Sequence, residues 1–279
     1  MAKRAEGVLF HVIVGAIGLF MLYPVLWTLA SSLKPDNEIF VNSASLIPSS
    51  LEWGNYAKGW AGFGHYGFDI FFRNSLWVSL LTIIGTLFST TLVAFGFARM
   101  KFRHKSFWFA CLLATLMLPG QVTMIPQYIL FDNLGWTNSF VPLFLPAFVG
   151  GSPFFIFLMI QFIKGLPREL DQAATIDGCG NFGIFWHVIL PLTRPAMATV
   201  AIFCFYWTWS DFMGPLIYLN DPKLYTVSLG LRMFADPSSI TAWGPMFAMS
   251  MLSLMPVLIV FLFFQRYLVQ GIATTGLKG

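Results

Sequence analysis

Charge is scarce in this chain. Only 10% of its 279 residues are Asp, Glu, Lys or Arg, whereas a typical soluble domain carries about 25%. The mean hydropathy is +0.73. This composition excludes an ordinary soluble domain and predicts an all-α integral membrane protein.

Signatures of chemistry are also missing. The three cysteines, Cys111, Cys179 and Cys204, are scattered and have neither disulfide nor metal-ligand spacing. The histidines stand in no His-Glu-x-x-His pattern, and no Gly-rich phosphate loop ends in Lys-Ser or Lys-Thr. We therefore expect no catalytic residues, no metal site, no cofactor bound by this chain and no ATP hydrolysis of its own.

Apolar runs are what the chain has instead. A helix needs about 20 residues to cross the hydrocarbon of a bilayer. Six segments approach or exceed this length: residues 8–31, 76–98, 106–131, 140–163, 196–219 and 246–264. The first is longer than the apolar core of a signal peptide, and no small-residue cleavage site follows it, so we expect it to be retained. We predict one transmembrane domain over residues 1–279, with an outer loop at 32–75 and an inner loop at 166–195.

The Lys and Arg residues set the predicted orientation. With the N-terminus inside, 11 of them fall on inner segments and 4 in outer loops, while Arg73 lies at a border. The inner residues are Lys3, Arg4, Arg99, Lys101, Arg103, Lys105, Lys164, Arg168, Arg194, Arg266 and Lys278, and the outer ones are Lys34, Lys58, Lys223 and Arg232. Because cytoplasmic loops are enriched in these residues, both termini are predicted to be cytoplasmic. The formal charge of +4 reflects this topology and indicates no nucleic-acid partner.

The inner loop at 166–195 is predicted to form two short helices around a turn. Pro167 suits the first turn of a helix, since its missing N–H costs nothing there. Glu169 and Asp171 follow in that turn, where negative charge complements the helix dipole. The small surface of this helix and the turn after it come from Gln172, Ala173, Ala174, Asp177 and Gly178.

The second helix of the loop carries aromatic residues at helical spacing. Phe182, Phe185, Trp186 and Ile189 follow the i, i+3, i+4, i+7 pattern, which predicts one apolar face. A structured helical pair between two spans indicates a surface on which another protein docks. The alternative is an amphipathic helix lying on the membrane, which explains the aromatic face but not the small, acidic first helix or the Asp-Gly turn.

These residues carry a resemblance to a known family. QAATIDG followed by FWHVILPLTRP resembles the EAA loop of bacterial ATP-binding-cassette (ABC) import permeases. Four more stretches are similar to the carbohydrate-uptake branch of that family, the maltose permease type: LMLPGQVTMIPQYIL, PFFIFLMIQFIKGLPREL, WSDFMGPLIYLNDPKLYTVSLGL and the tail FFQRYLVQGIATTGLKG. The resemblance covers nearly the whole chain. It implies the six-transmembrane-helix fold of a type I ABC importer permease.

The resemblance also implies partners and contact residues. Two permease subunits would form the pathway, two cytoplasmic ATPases would bind the inner loops and hydrolyse Mg-ATP, and an external binding protein would deliver the solute. The implied ATPase-coupling residues are Glu169, Asp171, Gln172, Ala173, Ala174, Asp177, Gly178, Phe182 and Phe185, and the implied tail contacts are Gln265, Arg266, Gly276 and Lys278. Gln172 stands where the family usually has Glu, and Ser210 stands where Asn is common. A role that needs charge at the first position, and the lumen contact at the second, are therefore left open.

Asp211 is the one carboxylate that we place inside a predicted span. It lies roughly 22 Å along the helix from residue 196, and an ionisable group at such depth is a functional candidate. Tyr206, Trp207 and Trp209 lie beside it, and aromatic rings stack on the apolar faces of sugars. The plainer alternatives are an interfacial Asp and an interfacial aromatic belt.

The sequence therefore predicts a permease subunit of an ATP-driven sugar importer in the bacterial inner membrane. It would move solute inward by alternating access and be coupled to separate ATPases through residues 166–195, with hinges at the prolines of 119–126 in preference to ordinary kinks. One alternative is an ABC permease for a non-sugar solute, which fixed charge in the lumen would favour. Another is a secondary carrier, which would show internal repeats and more buried ionisable groups.

Overall fold

The chain is helical throughout the part that the computed structural model describes, residues 2–235 and 242–276, without the side chains of residues 2–6, 8 and 266–276. Within these ranges the β-structure is one isolated bridge between Phe63 and Tyr66. This confirms the predicted all-α class.

Fifteen α-helices follow one another along the described chain. They are α1 Ala2–Ser32, α2 Asp36–Val41, α3 Gly54–Ala61, α4 Phe68–Arg99, α5 Lys105–Met117, α6 Gly120–Asn133, α7 Val141–Phe148, α8 Pro153–Gly165, α9 Glu169–Ile176, α10 Asn181–Ile184, α11 Leu190–Leu192, α12 Arg194–Trp209, α13 Met213–Tyr218, α14 Val227–Phe234 and α15 Trp243–Gly276. A π-helical turn at Phe185–Ile189 lies between α10 and α11, and a 3-10 turn at Pro222–Leu224 lies between α13 and α14.

Four helical segments of the described chain are long and apolar enough to cross a membrane by themselves. They are Leu9–Ser32, Phe68–Arg99, Val141–Gly165 and Trp243–Gln265. Two bent pairs of helices bring the number to six if each pair is one span. Six apolar segments were predicted, and the structure divides two of them differently.

The third predicted span, 106–131, is broken in two. Helices α5 and α6 meet at an angle of 101°. Leu118, which precedes Pro119, has an extended backbone with φ −78° and ψ 122°, because the proline ring disfavours the helical conformation of the residue before it. The break lies at the proline cluster where the sequence predicted a hinge.

The fifth predicted span, 196–219, is wrong as a single helix. Helix α12 ends at Trp209, Asp211 lies in a break, and α13 begins at Met213. Pro215 lacks the N–H that would donate to the carbonyl of Asp211 in a continuous helix. With 16 residues, α12 is shorter than a span. It reaches that length only together with Asn181–Leu192, from which it is bent by 70°.

A first compact unit comprises residues 2–69, 230–235 and 242–255. In it, Lys34 is fully buried. Its Nζ donates to the carbonyl oxygens of Asn42 at 3.0 Å and Ser45 at 2.7 Å. A buried ammonium group is costly unless it is hydrogen-bonded. These carbonyls therefore stabilise Lys34 in the interior, although the sequence predicted only that it lies in the outer loop.

A second compact unit comprises residues 70–229 and 256–276. Helices α5 and α12 both pack against α8 in this unit. Its core also takes residues from α4 and from the inner loop; it includes Ala94, Phe95, Ala98, Phe155, Ile156, Met159, Ile160, Ile163, Ala174, Ile184, Phe185, Ile189, Ala196, Val200 and Cys204. The inner loop is therefore part of the packed core of the second unit and not a separate surface appendage.

Close packing between α4 and α7 depends on Gly85. A Cβ at this position would overlap the ring of Phe148, whereas a Cβ at Gly96 of the same helix would meet nothing within 4 Å. We predict that Gly85→Ala lowers the stability of the purified protein by about 1–3 kcal/mol, because overpacking displaces the ring or the backbone. Gly96→Ala should be neutral or gain up to about 1 kcal/mol, since alanine favours the helix. Thermal unfolding in detergent measures both, and equal melting temperatures for the two variants would contradict this packing.

Candidate functional site

A cavity of about 280 Å³ opens in the second unit where α12 breaks. Its lining residues are Ser75, Val78, Leu143, Trp207, Thr208, Asp211, Pro215 and Thr226. Among these described residues, Asp211 is the carboxylate, Trp207 is the aromatic ring, and Ser75, Thr208 and Thr226 bring hydroxyl groups. The lining combines one negative charge, three hydroxyls and a flat apolar surface.

Local hydrogen bonds hold Asp211 at the wall of the cavity. Its Oδ1 accepts the backbone N–H of Gly214 at 3.2 Å, and its carbonyl accepts the hydroxyl of Ser228 at 2.5 Å. A Cβ at Gly214 would clash with the carboxylate, so the glycine leaves it room. Asp211 therefore accepts a hydrogen bond from the first turn of α13 and lines the cavity at the same time.

Two of the four predicted pathway residues line the cavity, and two do not. Trp207 and Asp211 belong to the lining, and Trp207 stacks on Phe155 with 4.9 Å between ring centroids. Trp209 is 4% exposed and packs among aromatic rings in the interior. Tyr206 is half exposed and is not part of the described lining. Their role in a pathway stays a prediction.

Sequence reasoning missed the polar side chains that join α4 to residues 223–227 beside the cavity. Asn74 Nδ2 donates to the carbonyls of Lys223 at 2.8 Å and Tyr225 at 3.0 Å. Ser75 Oγ accepts the N–H of Val227 at 2.8 Å. These contacts join α4 to residues about 150 positions later, so no local pattern could have revealed them. They place Thr226 beside the cavity.

Asn138 secures the same segment from another side. Its Oδ1 accepts the N–H groups of Asn220 at 3.1 Å and Asp221 at 3.0 Å, and its own N–H donates to the carbonyl of Tyr218 at 2.7 Å. Its φ of +55° is left-handed, a conformation that Asn tolerates better than most residues. An Asn between Thr and Ser in a short loop was the signal that sequence reasoning could have used.

The first helix of the inner loop forms over Glu169–Ile176, so Pro167 lies before it and not in its first turn, and Gly178 follows its C-terminal end. Gly178 has φ +84° and donates to the carbonyl of Thr175 at 3.0 Å, while Cys179 donates to that of Ala174 at 2.9 Å. This pair of bonds is a Schellman cap, which needs a left-handed residue and so favours glycine. The space around Gly178 is open, with nothing within 4 Å of an added Cβ. Backbone conformation, and not crowding, therefore selects glycine.

The predicted single apolar face of the second helix is wrong. Phe185 and Ile189 are buried in the core, whereas Phe182 is 74% and Trp186 55% exposed. The π-helical turn at Phe185–Ile189 rotates the positions that follow it, so it separates Ile189 from Trp186 but does not act on Phe182, which precedes it. The exposed rings of Phe182 and Trp186 stack on each other at 6.3 Å.

Most of the predicted coupling residues lie on the exposed face of the loop. Those exposed are Glu169, Gln172, Ala173, Asp177, Gly178 and Phe182. Ala174 and Phe185 are buried in the core. Asp171 Oδ2 lies 2.8 Å from Arg99 Nε in an ion pair. Sequence reasoning missed Ile176, which is 87% exposed and adds an apolar side chain to this face.

The predicted tail contacts lie at or beyond the end of the described side chains. Gln265 is exposed, and its Nε2 donates to the carbonyl of Leu262 at 3.3 Å. Arg266 and Gly276 belong to α15, but their side-chain surroundings lie outside the described part of the chain. Lys278 lies outside it altogether. The role of these four residues stays a prediction.

The fold has a solved counterpart. The structure matches, with a TM-score of 0.83, a chain in the crystal structure of a bacterial ABC transporter involved in the import of the acidic polysaccharide alginate. The match covers 96% of this chain and 98% of that one at 19% identity. A likeness at this identity establishes the fold, and the predicted type I importer permease fold is confirmed. Together with the four described helices that are long and apolar enough to cross a membrane, the fold defines a multi-pass membrane protein.

Sequence relatives identify the family. The probable ABC transporter permease protein YurM of Bacillus subtilis (strain 168) is 37% identical over 257 residues, 92% of this chain and 84% of that protein. The arabinooligosaccharides transport system permease protein AraQ of Halalkalibacterium halodurans is 32% identical over 265 residues, 94% of this chain and 93% of that protein. Residues 90–274 match the binding-protein-dependent transport system inner membrane component family, and the chain belongs to it. It is a transport subunit and not an ATPase, and membership implies partner subunits in general.

The hydrogen bonds of Asn138 yield a prediction about the segment at Asn220 and Asp221. In Asn138→Ala both side-chain bonds are lost, each contributing about 1 kcal/mol, and alanine also resists the left-handed backbone. We expect amide hydrogen exchange at Asn220 and Asp221 to rise by roughly tenfold. Asn138→Asp keeps the acceptor and should exchange like the wild type. Unchanged exchange in the alanine variant would show that this segment is held by other contacts.

Proposed function

We propose that the chain is the membrane subunit of an ATP-driven importer of sugars. The observation that carries this proposal is the cavity, which Trp207, Asp211 and the three hydroxyl-bearing residues Ser75, Thr208 and Thr226 line together. A sugar offers apolar C–H faces for a ring and hydroxyls for hydrogen bonds, so it fits this lining. The relative AraQ, named for arabinooligosaccharides, supports the same class of solute.

The rest of the machine is proposed by analogy with the family. A second permease subunit completes the pathway, two ATPases bind and hydrolyse Mg-ATP on the cytoplasmic side, and an external solute-binding protein delivers the sugar. We place the chain in the bacterial cytoplasmic membrane with both termini inside, because of the Lys and Arg asymmetry. Concentrating a neutral solute tenfold needs about 1.4 kcal/mol, which ATP hydrolysis on the partners supplies.

The exposed face of the inner loop is the proposed ATPase docking surface. It presents the apolar side chains of Ile176, Phe182 and Trp186 beside the polar Glu169 and Gln172. Interfaces derive most of their energy from a few aromatic or apolar anchors within a polar rim. Gln172 keeps a hydrogen-bonding side chain but no charge where the family usually has Glu. The tail residues from Gln265 to Lys278 are proposed to add to this contact.

The broken helices support alternating access. A break allows the two halves of a span to change their relative angle, and such breaks lie at Pro119 and at Thr193, between Asn181–Leu192 and α12. The far end of α12 and the residue Asp211 beyond it line the cavity. We propose that ATPase closure moves the inner loop and that the cavity then changes its opening from the outer to the inner side.

The proposal is tested by sugar uptake into vesicles that contain the complete importer. Asp211→Leu removes an ionised acceptor, and a hydrogen bond to a charged group is worth about 1.5–3 kcal/mol. We expect uptake per assembled complex to fall roughly 10- to 100-fold. Asp211→Asn retains an acceptor for both the sugar and the N–H of Gly214, so it should lose only a few-fold. Assembly and melting temperature of each variant separate transport from folding.

Three other outcomes of the uptake experiment contradict parts of the proposal. Normal uptake per complex in Asp211→Leu would remove Asp211 from the pathway. Equal and severe loss in the Asn and Leu variants would indicate that the negative charge itself binds the solute, as a cationic solute requires. Absence of ATP-dependent sugar uptake by the wild-type complex would exclude sugar import.

Gly178 provides a separate test of the docking surface. A left-handed conformation costs an ordinary L-residue about 1–2 kcal/mol, and β-branched residues more. We therefore expect Gly178→Val to open the Schellman cap, misplace Phe182 relative to Glu169 and reduce the ATPase that co-purifies with the complex several-fold. The spans should still fold, because nothing packs near this position.

Gly180→Val is the matched control for this loop. Gly180 has an extended backbone, with φ −77° and ψ 175°, which valine adopts readily, and its surroundings are equally open. Its ATPase co-purification should match the wild type. The docking assignment is wrong if the two valine variants retain ATPase and uptake to the same extent.

A further inference from the structure

One ion pair joins the inner loop to the end of α4. Arg99 is the last residue of α4, and its Nε lies 2.8 Å from Oδ2 of Asp171 on α9. Its Nη2 also donates to the carbonyl of Leu166 at 2.9 Å, where the loop begins. One guanidinium group thus holds both the start of the loop and its first helix.

The ion pair is shielded from solvent. The side chains of Arg99 and Asp171 are only 6% and 19% exposed. Within the described chain, Nε of Arg99 and Oδ1 of Asp171 are both buried without a hydrogen bond, so charge and not an aligned hydrogen bond holds the 2.8 Å contact. Attraction between charges is stronger and less screened by salt where water is excluded. Asp171 therefore depends on Arg99, and removing either partner leaves a charge buried without compensation.

Helix α4 reaches the cavity at the end opposite to Arg99. Ser75 and Val78 of α4 line the cavity, and Arg99 lies about 36 Å further along the helix. The sequence of α4 contains no proline, the usual cause of a sharp kink. It is hydrogen-bonded along the way, since Ser89 Oγ donates to the carbonyl of Ala147 at 2.6 Å. A displacement of α9 through Arg99 therefore acts on a continuous rod that ends at the cavity wall.

We propose that Arg99 is a positioning residue that couples the docking loop to the cavity through the ion pair with Asp171. The ion pair fixes α9 to α4, so that movement of the loop by a docked ATPase displaces α4 and does not merely bend the loop. This inference rests on the proposed function, because it assigns Asp171 an internal role in the transport cycle and not a direct contact with the ATPase.

The test uses charge removal and charge exchange in the complete complex. Arg99→Gln and Asp171→Asn remove one charge each with little change of shape, and the double variant Arg99→Asp with Asp171→Arg restores a pair of opposite sign. Arg103→Gln, at an exposed cation just beyond α4, is the matched control. For each variant we would measure amide hydrogen exchange of residues 169–176, ATPase co-purification, and stimulation of ATP hydrolysis by sugar-loaded binding protein.

The expected result is specific to coupling. In both single variants, exchange in residues 169–176 rises, while the co-purified ATPase stays near its wild-type amount. Stimulation of ATP hydrolysis falls at least about fivefold, the lower end of typical coupling between sites. The double variant reverses most of the rise in exchange and most of the fall in stimulation, and Arg103→Gln behaves as the wild type.

Three results would overturn the inference. Unchanged exchange and stimulation in the single variants would show that the ion pair is dispensable. A loss of ATPase association in Asp171→Asn but not in Arg99→Gln would assign Asp171 to the docking surface itself. A lower melting temperature with normal stimulation per assembled complex would reduce the pair to a stabilising contact.

Failure of the proposed function has a different signature. If sugar-loaded binding protein does not stimulate the wild-type complex, sugar import is excluded. In that case hydrogen exchange by itself tests whether Arg99 positions α9. A rise in residues 169–176 that the charge exchange reverses supports it, and no rise rejects it.

Discussion

Every backbone N–H and C=O group inside a bilayer must find its partner within the protein, since no water is present to replace it. This constraint explains how the helices of this chain break. At Gly151 the N–H donates to the carbonyl of Pro146 at 2.8 Å. At Asp211 the carboxylate accepts one N–H and the carbonyl accepts the hydroxyl of Ser228. Polar groups that satisfy the broken backbone also supply the polar lining of the cavity.

Helix α4 provides continuity where the neighbouring elements are interrupted. Its 32 residues carry no proline. Near its start Asn74 and Ser75 are hydrogen-bonded to residues 223–227, and at its end Arg99 forms an ion pair with the inner loop. The buried hydroxyl of Thr90 bonds to the carbonyl of Thr86 one turn earlier, whereas Oγ of Ser79 is buried without a hydrogen-bond partner in the described chain. An unbroken helix between the cavity and the inner loop is what the proposed coupling requires.

The sequence predicted the candidate site in part, and the physical reason for each success or failure is local or non-local structure. Asp171, Gly178 and Asp211 were singled out because helix dipoles, turn chemistry and an isolated charge can be recognised within a few residues, and their roles in coupling or in a pathway stay predictions. Ser75 and Thr226 were not found, since about 150 residues separate them. The exposure of Phe182 was also missed, because which part of an apolar face is buried depends on how the inner loop packs against helices distant in sequence.

The sequence alone determined the membrane class, the approximate positions of the apolar segments and the two-helix form of the inner loop, because hydropathy, helix propensity and turn chemistry act over short stretches of chain. Tertiary structure alone decided that Lys34 is buried against carbonyls, that the segment after Trp209 leaves its helix, and that Asp171 pairs with Arg99. Each of these outcomes depends on a contact with a residue several turns or more away in sequence, or on whether tertiary packing outweighs the local preference for helix. The free energy of such contacts exists only once the chain has folded.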